Sequence, residues 1–64
     1  MKAKKIGDTK FVFTGVSNES QLEDVESPAK RAKCKVERQD CCTKIIVTGT
    51  KKQIDEFVEL YANS

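Results

Sequence analysis

The sequence predicts a small α+β or α/β domain, ordered β-α-β-β-α, with a three-stranded sheet and two helices. Three observations carry that prediction. The stretch TKFVFTG at 9–15 is nearly rewritten as TKIIVTG at 43–49. Each copy sets three large apolar strand formers between a polar pair and a Thr-Gly exit. After each copy the apolar residues take on helical spacing. They are Leu22, Val25, Ala29 and Ala32 after the first, and Ile54, Phe57, Val58 and Tyr61 after the second.

Residues 1–8 read as a flexible basic lead-in, and 9–64 as one domain. The first strand spans Lys10–Thr14 and stops at Gly15, after which Ser17 and Asn18 offer oxygens to cap a helix. The first helix runs from Gln21 to Lys33. Pro28 lacks the amide hydrogen that the helix needs there, so a kink or a restart at Ser27-Pro28 is expected. Cys34–Glu37 alternates as a short strand, Arg38–Cys42 connects, and Thr43–Thr48 is the third and most apolar strand. Gly49 ends it. Thr50 and Gln53, three apart, have the pattern of a capping box opening the second helix. The expected core is Phe11, Phe13, Val36, Ile45, Val47, Ile54, Phe57 and Val58.

Sixty-four residues hold one small core. With 38% hydrophobic and 34% charged residues the composition suits a globular chain rather than a disordered one. No apolar run approaches the ~18 residues of a membrane span. Ile6-Gly7-Asp8 stands where a secretory signal would need its apolar stretch, so a cytoplasmic protein without a membrane partner is expected. Cys34, Cys41 and Cys42 are an odd count with no zinc spacing, and the chain has no histidine. Small buried hydrophobes in a reducing compartment is their expected role. No metal, no cofactor and no catalytic residue is expected. Glu23-Asp24 and Asp55-Glu56 are adjacent pairs that diverge by ~100° on a helix, and no nucleophile–base pair is evident.

Gly7, Phe-Val-Phe-Thr-Gly at 11–15, the helix after it, Lys35-Val36, and an apolar strand from Thr43 to Gly49 follow one another at characteristic distances. In these landmarks residues 7–60 resemble the first two-thirds of a BRCT domain. Lys33-Cys34 stands where that family usually has a glycine pair, Pro28 falls within its first helix, and its fourth strand and last helix have no counterpart here. The resemblance implies a parallel sheet with strand 34–37 beside strand 10–14. A hairpin at 38–42 implies instead a split β-α-β sheet, a ferredoxin-like half, with 34–37 antiparallel beside 43–48. Both orders make strands 10–14 and 43–48 neighbours, and in both the two are expected to run parallel.

On that expectation the two Thr-Gly exits meet at one sheet edge, each at a helix N-terminus, where free amides and the macrodipole favour anions. Thr14, Gly15, Thr50, Lys51 and Lys52 would gather there. In phosphate-binding BRCT domains a Ser or Thr, the next glycine amide and a lysine opening the second helix hold a phosphate. The resemblance places Thr14, Gly15 and Lys51 in those roles, with Lys52 as substitute. It implies a binding module for a phosphorylated protein or a DNA 5′ end, linked to DNA repair or replication. Plain turn and cap chemistry accounts for the same residues. Two other expectations stand beside it: a small interaction or inhibitor protein binding through an open sheet edge, and a homodimer through that edge or the Val12–Ile46 face.

Overall fold

The computed structural model describes residues 1–63. Its elements are β1 (Lys2–Ile6), β2 (Lys10–Thr14), α1 (Glu19–Arg31), β3 (Lys35–Gln39), β4 (Lys44–Thr48) and α2 (Lys51–Ala62). The four strands make one sheet in the order β1-β2-β4-β3, antiparallel throughout, and the fold is α+β. The two helices cover one face of it.

This corrects the expected sheet in three respects. There are four strands rather than three, because residues 2–6 are not a lead-in but pair along β2, from Lys2 opposite Thr14 to Ile6 opposite Lys10. Gly7, at φ 64°, begins the reversal between them, a backbone conformation that glycine adopts without a Cβ penalty. Secondly, β2 and β4 are neighbours but antiparallel, with Lys10 opposite Thr48 and Phe13 opposite Ile45. Thirdly, β3 lies beside β4, not parallel beside β2, and extends to Gln39. The cause is the connection at 40–43, which reverses the chain in four residues. A parallel neighbour would need a crossover of a dozen residues or more. The hairpin order left open by the sequence is the one formed: β2 and β3 run the same way, and β4 slots between them against both.

α1 runs from Glu19 to Arg31, two residues earlier at each end than the expected Gln21 to Lys33, and Asn18, one of the two capping residues the sequence offers, is its cap. The Asn18 side chain accepts a hydrogen bond from the Gln21 amide at 2.9 Å. It is one helix rather than two pieces, with Pro28 inside it. The carbonyl that Pro28 cannot bond belongs to Asp24, an exposed residue, while the proline itself is buried. The helix closes as a Schellman turn: the Cys34 amide bonds to the Ala29 carbonyl, and the Lys33 amide to that of Lys30. Lys33 takes the left-handed conformation (φ 61°) that glycine usually supplies at this position. α2 opens with the capping box expected of Thr50 and Gln53.

Phe13, Val25, Ala29, Ile45, Val47, Ile54 and Phe57 are fully buried, and Val16 and Ala32 nearly so. Phe11, Val36 and Val58, expected in the core, pack at its margin. The cysteines depart from expectation. Cys34 is half-buried, its thiol against the Gln53 carbonyl, and its pKa is raised by that burial and by Glu56. Cys41 and Cys42 are exposed, since they lie in the β3–β4 loop rather than on a strand. Asp40, Cys41 and Cys42 all have positive φ, at 53°, 56° and 70°.

Arg38 on β3 points to the helix side and clasps Glu26 of α1 with both ends of its fork, at 2.6 and 2.7 Å. Those bonds hold the Glu26 carboxyl below the usual glutamate range. A carboxyl whose pKa is lower folded than unfolded stabilises the fold above the unfolded value, and that contribution goes as pH falls through the folded one. The stability difference between wild type and Glu26→Gln should therefore be constant above about pH 5.5 and close as pH falls below the usual glutamate range. Urea melts across that range would test it; a difference independent of pH would mean that the pair does not form in solution.

Candidate binding face

The antiparallel register decides which expected site residues meet. Thr14 and Gly15 end β2 at one end of the sheet, beside Met1 and the 40–43 loop, where the Val16 amide bonds to the Thr43 carbonyl. Thr50, Lys51 and Lys52 open α2 at the other end, where the Gly49 amide bonds to the Thr9 carbonyl. Four residues of strand separate the two ends, ~13 Å. The Thr-Gly exits therefore do not converge.

At the α2 end the polar groups are already engaged. The Thr50 hydroxyl accepts from the Gln53 amide, and the Gln53 side chain accepts from the Thr50 amide. Lys51 donates to Asp55 at 3.1 Å, which raises the lysine pKa, with Asp8 across the turn adding to the effect. A lysine at a helix start opposes the macrodipole. Here Asp55 and Asp8 supply the compensating negative charge from within the chain.

A different surface emerges on the sheet face away from the helices. Side chains alternate along each strand, so the register sorts them by face. Ala3, Lys5, Phe11, Phe13, Ile45, Val47, Val36 and Arg38 share the helix side, in agreement with the Lys5–Asp55 and Arg38–Glu26 contacts. The open side holds Lys2, Lys4 and Ile6 of β1, Lys10, Val12 and Thr14 of β2, Lys44, Ile46 and Thr48 of β4, and Lys35, Glu37 and Gln39 of β3. Five lysines thus stand against one glutamate. Val12 and Ile46 sit half-buried at the centre, with Lys4 and Glu37 at the two ends of their cross-strand row.

Among the described residues the ion pairs use Lys5, Arg38 and Lys51, and none of these five lysines takes part in one. The helices carry seven acids, Glu19, Glu23, Asp24 and Glu26 on α1 and Asp55, Glu56 and Glu59 on α2, against four bases, Lys30, Arg31, Lys51 and Lys52. A chain of formal charge +2 thus carries its positive excess on the open face of the sheet. The sequence shows these lysines as a run near the start and scattered positions later. Only the sheet register puts them on one surface, although Lys2 and Lys4 already have the two-residue period of a strand.

An open groove of about 580 Å³ lies between the start of α1 and the β3–β4 loop, with Leu22, Glu23 and Arg38 among its walls and Cys41 and Cys42 on its rim. Its charges are mixed, and Arg38 and Glu26 satisfy each other within it. Among the described residues no cluster of His, Cys, Asp or Glu could hold a metal ion, and no helix is long and apolar enough to cross a membrane. No protein-family model, curated protein or solved structure matches this chain.

Proposed function

We propose that this protein is a non-enzymatic binding module that recognises a phosphate-bearing partner through the open face of its sheet. The carrying observation is the set of five lysines, unpaired among the described residues, on a surface with one opposing acid. Like charges held this close repel one another, an unfavourable arrangement that a polyanion relieves. The positive excess lies on this face and not on the helices behind it, so this face leads as an anionic partner approaches.

The reading keeps the phosphate chemistry suggested by the sequence and moves its location. A protein partner adding a strand to a sheet edge has less support. The edges are β1, with three lysines in five residues, and β3, which carries Lys35, Glu37 and Arg38. Charged side chains on edge strands oppose such pairing. The apolar strand 43–48 expected to offer an edge, or to leave one on strand 10–14, is central instead and has a partner on both sides.

Titration of the ¹⁵N-labelled protein with inorganic polyphosphate tests the proposal. Amide shifts are expected around Lys4, Val12, Lys44 and Ile46. Shifts confined to Gly15 and Lys51 would return the site to the turns, and no shift anywhere would end the phosphate reading.

A further inference from the structure

We infer that the partner is a nucleic-acid backbone, held without regard to base sequence; this rests on the reading of the open face as a phosphate-binding surface. The spacing of the charges carries the inference. Lys2 and Lys4 are two residues apart on β1, ~7 Å, while Lys10 and Lys35 share a cross-strand row with Thr48 between them, ~10 Å. Lys44 stands on β4 towards the Thr14 end. The five charges are spread over ~14 by 13 Å and converge on no single point.

A lone phosphate on a peptide needs the opposite arrangement, with arginine forks or several backbone amides aimed at one spot. This face offers neither. Arg38 is turned to the helix side and bound to Glu26, and Arg31 belongs to α1. The backbone of β2 and β4 is occupied in ladders on both sides. A polymer with a phosphate on every residue matches spaced point charges, since each lysine can meet a different phosphate.

The same face explains the lack of sequence reading. Stacking on bases needs aromatic rings, yet Phe11, Phe13, Phe57 and Tyr61 cluster together on the helix side. Val12 and Ile46 give the centre an apolar floor, and Gln39 is the one side-chain amide on the face. An anionic membrane surface is less suited to this shape. Insertion needs several projecting apolar side chains, whereas on this face Ile6 at the rim is 46% exposed and Val12 and Ile46 are half-buried.

Fluorescence anisotropy with labelled 20-base-pair duplexes of two unrelated sequences, the corresponding single strand, a phosphoserine peptide, and competing phosphatidylserine vesicles tests the inference. Both duplexes should bind within about threefold of each other, and log K should fall against log salt with a slope of about −3 to −4.5. Raising salt from 50 to 200 mM should then weaken binding by about 60- to 500-fold. Lys4→Gln and Lys44→Gln should each reduce the slope by about 1, whereas Lys30→Gln, on α1 behind the sheet, should leave it unchanged. Urea melts of the same variants establish that they remain folded. Binding of the phosphopeptide without either nucleic acid overturns this inference and leaves the phosphate reading standing. Binding of vesicles alone, or a strong preference for one duplex sequence, overturns the inference. Binding to none of these polyanions overturns both readings.

Discussion

Phe57→Ala is expected to cost about 3–5 kcal/mol of stability, the largest single loss in the chain. The ring is fully buried and stands among three others, with centroids 5.8 Å from Phe11, 5.9 Å from Phe13 and 5.9 Å from Tyr61. Truncation removes the transfer free energy of the ring and leaves a cavity whose walls are themselves rings, poorly able to collapse inward. A domain of this size has about 3–10 kcal/mol in total, so the variant should be mostly unfolded at physiological temperature. Phe57→Leu, which keeps most of the volume, should remain folded and give a measurable urea midpoint. A loss below about 1 kcal/mol for Phe57→Ala would mean that α2 presents a different face to the sheet.

Replacing both Cys41 and Cys42 by glycine should act in the other direction, stabilising the fold by about 1–2 kcal/mol. Left-handed backbone costs a residue with a Cβ about 1–2 kcal/mol, and two such residues follow one another here. Glycine removes that cost but makes the unfolded chain more flexible, which returns about 0.4–1 kcal/mol at each position. The steric term wins. Both thiols are exposed, so little packing is lost with them. Chemical denaturation under reducing conditions would show the gain; a loss of stability would mean that the loop does not hold these angles in solution.

The parts of the fold that could be read from residues are those fixed by local chemistry. Thr50, Gln53 and the 54-57-58-61 stripe specify α2 without help from the rest of the chain, and Asn18 marks the start of α1 just as locally. Strand direction was hidden because FVF and IIV read as strands buried on both faces, the mark of a parallel sheet. In the fold only alternate residues are buried. Val12 and Ile46 gain their apolar surroundings from each other across the ladder, not from a second layer of helices. β1 was hidden for the opposite reason. Its residues are all exposed, and of the two side chains it turns towards the helices only Ala3 is apolar, so no hydrophobic alternation betrays it. The lysine face shared that fate. Its members come from all four strands, and their convergence depends on register, which no single stretch of sequence contains.

The place of β4 in the sheet also sets the order in which the molecule can be completed. The last of these four strands to be synthesised occupies the middle, with β2 and β3 on its flanks. Before residues 44–48 leave the ribosome, β2 has only β1 for company, and its inner edge, running through Phe11, Val12 and Phe13, is bare. β3 at that stage has no strand beside it at all. Assembly is then less like growth from one end than like the fitting of a keystone. Neither half can mature alone, and a chain halted before residue 44 would carry an unpaired apolar strand of the kind that draws copies together. The 40–43 reversal, which delivers β4 into the gap immediately after β3, keeps that interval short.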